Sequence, residues 1–464
     1  LTTRQWYLRN GGRDPELRQA MLQRGRELAW FPPHMQVRYE DWVSGLNGDW
    51  LISRQRYFGV PIPVWYAVDK HGNPDHDRIL TPTEEELPVD PSVDAPAGYD
   101  ASQRGAPGGF IGDPDVMDTW ATSSLTPQIV TGWQDDPDLF ALSFPMDLRP
   151  QGQEIIRTWL FSSVVRAHLE NGALPWRSAA ISGWVLDPDR KKMSKSKGNV
   201  VTPAGLIEQY GADGVRYWAA SGRPGTDTAF EEAQMRVGRR LAVKILNASR
   251  FALRLGEGTD PAASVTEPLD RALLLRLADV VDRCTAAFEE YDYARALEHA
   301  EAFHWSFCDN YLELVKSRAY GGRGEEAAGS ARAALDLALS HLLRLFAPFL
   351  PFVTEEVWSW WQEGSIHCAA WPEAGELREA AGDGDPLVFE VCAAVLGEIR
   401  KAKTAAQRSL RTPVDRVVVH DTAPRLEALR AALGDVVAAG TVTEVSLQEA
   451  PQPAVEVELA PPEG

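Results

Sequence analysis

The densest chemistry in this sequence lies in Arg190-Lys191-Lys192-Met193-Ser194-Lys195-Ser196-Lys197-Gly198-Asn199, five cations in eight residues and then a glycine. Positive charge with no acid among it repels itself and persists where an anion or open water meets it. On charge alone that describes a solvated loop. The order of the chain around it says more. Ala179 to Leu186 reads as a short, apolar, buried strand, stopped by the turn residues Asp187-Pro188-Asp189. On the far side, Thr202 reads as a helix N-cap with Pro203 at the first helical position. The basic loop therefore joins a core strand to a helix, the usual place for a phosphate site in an open α/β sheet. Flexible ammonium groups suit the work of such a site, the stabilisation of charge on phosphate oxygens.

Lys192-Met193-Ser194-Lys195-Ser196 resembles the KMSKS signature of class I aminoacyl-tRNA synthetases. The resemblance implies attack of an amino-acid carboxylate on the α-phosphate of ATP, bound with Mg2+, and then transfer of the acyl group to the terminal ribose of tRNA. Phosphoryl chemistry of this kind asks for positioning and charge stabilisation more than for covalent help. In the family the loop closes over ATP. That makes Lys192 and Lys195 the expected catalytic cations and places Met193, Ser194 and Ser196 at the nucleotide, with Gly198 free of a side chain where the loop must approach and move.

Two further segments carry the resemblance. Asp49-Trp50-Leu51-Ile52-Ser53-Arg54-Gln55-Arg56, running on through Gly59 to Trp65, is similar to a stretch that follows the inserted editing domain in the synthetases for valine, isoleucine and leucine. By itself it is an apolar, strand-like segment whose two arginines are ordinary ion-pair partners. Asp115-Val116-Met117-Asp118-Thr119-Trp120-Ala121-Thr122 could simply cap a helix, with Asp118 as N-cap. It resembles the form found in members that act on valine, and it implies an amino-acid pocket built from Trp50, Asp118, Thr119 and Trp120. Bulky walls suit a small branched side chain, although one methylene is worth only about 1–3 kcal/mol of discrimination. Gln153-Glu154-Ile155-Ile156-Arg157-Thr158-Trp159 opens a predicted helix after Pro150, with Ile156, Leu160, Val164 and Ala167 on one face. The family form begins His-Asp, so Gln153 and Glu154 depart from it: the imidazole is lost and a methylene is gained. Both can still hydrogen-bond ATP, Glu154 through a ribose hydroxyl.

A chain of 464 residues exceeds one ordinary core, and 44% hydrophobic with 24% charged residues describes a globular protein. Neither a membrane-spanning apolar run nor a signal-peptide pattern is evident, which makes the cytoplasm the expected location and excludes a membrane partner. Cys284, Cys308, Cys368 and Cys392 are widely spaced, without a C-x-x-C pair, and read as reduced structural thiols. Some relatives carry zinc-binding cysteines near residues 67–110. This stretch has none, and His71 and His76 without further ligands predict no zinc site. The net charge of −19 argues against indiscriminate nucleic-acid coating. Local basic surface remains in residues 190–197, 236–254 and 400–411, each with at least five Lys or Arg and no acid.

From these elements the expected architecture is α/β, the second half of a class I Rossmann-like nucleotide-binding domain, followed by an all-α anticodon-binding helical bundle and a small C-terminal α+β module. Residues 1–66, with a helix from about Pro15 to Trp30, lead from the editing insertion into the core, 67–110 form an irregular insertion, and 111–202 carry the catalytic half-domain. Two short helices over 203–230 resemble the family's stem-contact segment. The bundle spans 231–372, where strings around Leu246–Phe251, Asp309–Lys316 and Pro351–Trp358 carry the resemblance. A Glu/Gly/Asp-rich linker over 373–385 precedes the module at 386–464, which shows no sustained heptad. Arg236, Arg240 and Lys244 share one helical face and, with Arg250, form the expected tRNA contact. No histidine sits in the H-x-G-H string of the family's other half-fold. The resemblance thus implies a C-terminal portion of a valine-tRNA ligase, with tRNA(Val), valine, ATP and the N-terminal half of the synthetase as partners. A stand-alone tRNA-binding or regulatory relative, or a portion of an isoleucine enzyme, are the alternatives.

Overall fold

The computed structural model of the protein describes residues 4–193, 198–256 and 264–461. The chain divides into two compact units, Leu1–Trp184 with Pro224–Thr226, and Val185–Arg223 with Asp227–Gly464.

The first unit is built on a parallel sheet. Trp176–Ser182 lies between Ala29–Phe31 and Met146–Gly152, in register Ala179 with Trp30 and Ile181 with Gln151. Parallel strands need their faces covered, and the helices Pro15–Glu27, Gln36–Ser44 and Phe161–Asn171 supply Met21, Tyr39, Val43, Phe161 and Val164 to a core shared with Trp30, Trp176 and Ile181. The first helix starts where the sequence says it should: Asp14 accepts from the amides of Glu16 and Leu17 at 3.1 and 3.0 Å, with Pro15 at its first position. Ile156, Leu160, Val164 and Ala167 are all buried, as their spacing predicted.

Four expectations need correction in and beside this unit. The strand predicted over 179–186 ends at Ser182, and Val185–Leu186 is a separate strand of the second unit, paired in parallel with Thr228–Ala229. The basic loop therefore leaves a short two-stranded ribbon, not the core strand. Pro150 belongs to the strand Met146–Gly152, and the helix after it opens with a 3-10 turn, Gln153–Ile155, and a π turn, Ile156–Leu160. Residues 67–110 are not wholly irregular, because Trp65–Val68 pairs antiparallel with Pro74–Leu80 and Phe110–Gly112. The polar run at 74–80 hid that strand: it is an exposed edge, so no apolar alternation marks it. Thr202 occupies the N-cap position of the next helix but makes no side-chain capping bond, and proline at the first position alone marks the start.

That helix of the second unit, Pro203–Ala220, breaks at Gly211, where φ is +76°. A conformation open to glycine and costly to other residues thus makes two helices of one segment. Asp213, just past the break, accepts from the amides of Phe352 and Val353 at 3.2 and 2.8 Å and caps the helix Pro351–Trp358 from a distance. The bundle consists of Glu232–Gly256, Pro268–Glu289, Tyr293–Ser306, Leu312–Ala319, Glu325–Phe346 and Pro351–Trp358, with a π turn at Phe307–Tyr311. Residues 373–385 are not a linker. Ala374–Ala381 is a helix whose Ala374, Leu377 and Ala381 are buried against Pro268–Glu289. Beyond it, Val414–Asp421 sits between a parallel neighbour, Val442–Glu449, and an antiparallel one, Ala454–Leu459, packed under the helices Leu387–Ala405, Ala423–Ala431 and Leu433–Gly440. One continuous apolar core runs from Tyr217 through the bundle to Val442. Bundle and module are also tied by a buried charge network. Arg318 reaches both Asp270 and Asp435, and all three are at most 2% exposed.

Candidate ATP, amino-acid and tRNA sites

In the first unit the strand ends place the candidate nucleotide and amino-acid residues. Gln151 and Gly152 finish the strand Met146–Gly152, and Gln153 and Glu154 turn out of it, Glu154 exposed. A Cβ on Gly152 would stand 2.4 Å from a Glu154 carboxylate oxygen, so the glycine leaves room for that side chain. Behind them, the buried Gln151 amide has neither its oxygen nor its nitrogen hydrogen-bonded among the described residues. The Arg149 guanidinium lies over the Trp159 ring at 3.4 Å, and burial pushes its pKa down from the ordinary arginine value.

Strand pairing brings the two other motif segments together. Ser53–Arg54 pairs antiparallel with Val116–Met117, and the Asp118 amide donates to the Ile52 carbonyl at 2.7 Å. Asp118 caps the helix Thr119–Ser123 through the Trp120 amide at 2.8 Å, and its second oxygen is paired with Arg54. Its carboxylate is thus engaged by the fold, and Arg54 is the ion-pair partner its residue type suggested. Thr119 is exposed, and Trp120 is half-buried. Trp50 is half-buried in Trp50–Leu51, paired with Tyr7–Leu8. Sequence reasoning missed Trp159, whose indole N–H donates to the Ser123 carbonyl at 2.9 Å, and Asp113, which accepts from Trp6 at 2.7 Å and from Tyr66 at 2.6 Å. All three bonds join residues far apart in the chain, and no local spacing signals them.

In the second unit Asp187 closes the base of the basic loop. Its carboxylate accepts from the Lys191 amide and from the Asn199 side-chain amide, each at 2.7 Å. The Lys191 amide above all, with Asn199, holds this carboxyl below the usual aspartate range. Lys192 bridges back to Leu186, and the Asn199 amide also reaches the Lys192 carbonyl at 3.3 Å. Both ends of the loop are therefore fixed. Lys192 is exposed and Met193 half-buried, whereas Ser194, Lys195 and Ser196 lie outside the described residues.

The candidate tRNA residues sit on the helix Glu232–Gly256. Arg236, Arg240 and Arg250 are exposed, and Lys244 is half-buried. The face is less free than its sequence implies. Arg236 lies 4.0 Å from Glu232 and 3.4 Å from the Tyr210 hydroxyl, and Lys244 pairs with Asp309 at 3.1 Å. Arg250 stands over Trp360 at 5.3 Å. A cleft of about 580 Å3 is lined by Gln209, Tyr210, Arg236, Arg239 and Arg240. Arg239 enters it by donating to the Gln209 carbonyl. The π turn carrying Asp309 is an element often found at functional positions. Among the described residues there is no group of three or more potential metal ligands and no helix long and apolar enough to cross a membrane.

The family of class I tRNA synthetases (I, L, M and V) matches residues 1–231, and the anticodon-binding domain of tRNA ligase matches 270–419. The chain is 64% identical over 468 residues to the valine--tRNA ligase of Thermobifida fusca (strain YX), covering all of this chain and 53% of that protein. It is 60% identical over 470 residues to the valine--tRNA ligase of Salinispora tropica, covering 98% and 55%. The chain thus spans about half the length of the curated relatives it matches. Among solved structures, the LeuRS of Agrobacterium radiobacter K84, in a ternary complex with tRNA and LeuAMS, shares the fold at 22% identity and a TM-score of 0.57, over 72% of this chain and 43% of that one. Taken in chain order, the two family matches account for both parts of the architecture, and the chain belongs to the class I aminoacyl-tRNA synthetases.

Proposed function

We propose that the chain is part of a valine-tRNA ligase, which activates valine with ATP and attaches it to tRNA(Val) in the cytoplasm. The observation that carries this reading is 64% identity to a valine--tRNA ligase along the entire chain. The exposed Lys192, at the rim of a loop closed at both ends, supports it. In this reading the valine carboxylate attacks the α-phosphorus of ATP·Mg2+ and pyrophosphate leaves. Lys192 and Lys195 take up the charge that grows on the phosphate oxygens, and Gln153 and Glu154 hold the nucleoside. Trp50, Thr119 and Trp120 wall the valine side chain, with Asp118 fixing their backbone. The terminal ribose of tRNA then accepts the acyl group, while Arg236, Arg240, Lys244 and Arg250 hold tRNA phosphates.

Half of the relatives' length lies outside this chain, and effective molarity is lost when phosphate-binding groups cannot be held in line. The test is valine-dependent ATP–pyrophosphate exchange, by this chain alone and by the chain supplied with the other half of a relative. No enzymatic rate alone and valine-dependent exchange when completed is the expected pair of results. Normal turnover by the chain alone would overturn the partial-enzyme reading, and a completed enzyme preferring isoleucine would overturn the valine assignment.

A further inference from the structure

Thr119–Ser123, the helix that carries the candidate pocket walls Thr119 and Trp120, has almost no core of its own. It is five residues long, and Ala121 alone among them is buried. A helix this short is not stable by itself in water. What fixes its angle must therefore come from other elements.

Directed polar contacts hold it at both ends. At the N-terminal end Asp118 accepts from the Trp120 amide at 2.8 Å and is paired with Arg54. At the other end Leu125 sends its amide to the Thr122 carbonyl at 3.2 Å, which leaves the Ala121 carbonyl without a backbone donor among the described residues. Two side chains donate to it instead, the Ser124 hydroxyl at 2.6 Å and the Arg166 guanidinium at 3.2 Å. Ser124 belongs to the same turn and moves with it. Arg166 does not: it stands on the helix Phe161–Asn171, which the buried Phe161, Val164 and Val165 fix in the core beneath the parallel sheet. Burial pushes the Arg166 pKa below the ordinary arginine value, and Glu170, one turn on, opposes that shift without coming within ion-pair distance among the described residues. A partly desolvated cation is costly wherever its hydrogen bonds do not compensate. Here the bond it makes also meets the partial negative charge at a helix C-terminus.

We propose that Arg166 is a positioning residue for amino-acid selection: by holding the Ala121 carbonyl it fixes Trp120, the preceding residue, as a wall against side chains larger than that of valine. This rests on the reading of Thr119 and Trp120 as walls of the valine pocket. Arg166 acts only through the helix Thr119–Ser123 and meets no substrate. The property it sets is discrimination, because a wall free to tilt makes room for the extra methylene of isoleucine.

The experiment is ATP–pyrophosphate exchange by this chain supplied with the other half of a relative, run with valine and with isoleucine. Exchange reads activation before any acyl transfer, and the valine-to-isoleucine ratio of kcat/KM does not depend on how much of a preparation is active. Arg166→Met is expected to lower that ratio about 5- to 10-fold, part of the roughly 10–200-fold that a pocket draws from one methylene, with the KM for ATP unchanged. Arg166→Lys, which keeps a cationic donor, should recover most of the loss. If Arg166→Met lowers both activities and leaves the ratio at its parental value, Arg166 is only structural and the proposal is overturned, while the pocket reading stands. A parent enzyme that activates valine no better than isoleucine would defeat the pocket reading and this inference with it. Should Arg166→Met melt early, the shorter, uncharged Arg166→Gln decides: a parental ratio there overturns the proposal.

Discussion

Replacing Arg318 with methionine tests the account of how the second unit is held together. Its guanidinium donates to Asp270 at 2.6 and 2.7 Å, to Asp435 at 3.0 Å and to the Ala327 carbonyl at 3.2 Å, in a site where Arg318 and Asp270 are fully buried. Arg318→Met keeps the bulk and strands two carboxylates. Removing one partner of a buried ion pair costs about 3–5 kcal/mol. Here Tyr311 and Ser330 still donate to Asp270 at 2.8 and 2.7 Å, and the half-exposed Arg323 remains 3.4 Å from Asp435. That residual pairing places the loss near the lower end, about 3 kcal/mol. Arg378 is the control, because it pairs with Asp282 at the same 2.6 Å but in water, 45% and 56% exposed. Arg378→Met should cost far less, because an ion pair in water gains little. Urea denaturation followed by far-UV ellipticity, which the helical second unit dominates, reads both. Burial above all raises the Asp435 pKa, and loss of Arg318 removes the charge that opposes that shift, so Asp435 should take up a proton on folding. A raised folded pKa makes its penalty largest at high pH, so the Arg318→Met deficit should shrink as the pH falls from 7 to 5. Equal losses for the two variants, or a deficit that does not change with pH, would refute the reasoning.

Burial above all, and then the charge of Lys244, pushes the His304 pKa down from 6.5 to about 4. Its contribution is complete above pH 6.5 and lost as pH falls toward 4, about 3 kcal/mol in all, so His304→Gln should flatten the fall in urea midpoint between pH 7 and 4.5; parallel profiles for parent and variant would count against it. Arg236→Ala/Arg240→Ala/Lys244→Ala should weaken binding of valine tRNA and flatten a parental salt slope of about −3 to −5, and a flat parental response would leave this helix a solvated face. In a completed enzyme, Lys195→Ala should lower the turnover of valine activation on the order of 10²-fold with little change in valine binding. A rise in the Michaelis constant alone would be the wrong outcome for a residue that meets charge in the transition state.

What could be read from the sequence was local. The helix start at Pro15, Asp118 before Thr119 and the stripe Ile156, Leu160, Val164 and Ala167 each follow a short-range pattern that the fold keeps. The 373–385 segment shows where composition misleads. Its Glu, Gly and Asp content suggested a linker, while the buried Ala374, Leu377 and Ala381 stand at helical spacing. The strand break at Gly183 and Trp184 left no mark, because apolar residues continue on both sides of it. Partners were illegible wherever they are remote. Asp435 meets Arg318 from 117 residues away, and Asp309 meets Lys244 from 65. The basic helix therefore looked more open in the sequence than it is.

The proposed joining of valine to its tRNA is tested by esterification of labelled amino acid to tRNA, catalysed by this chain supplied with the other half of a relative. Valine is expected to be charged onto valine tRNA and isoleucine far less, and Lys192→Ala is expected to cut charging steeply. Charging of isoleucine onto isoleucine tRNA at a higher rate than valine onto valine tRNA, or charging indifferent to Lys192, would contradict it.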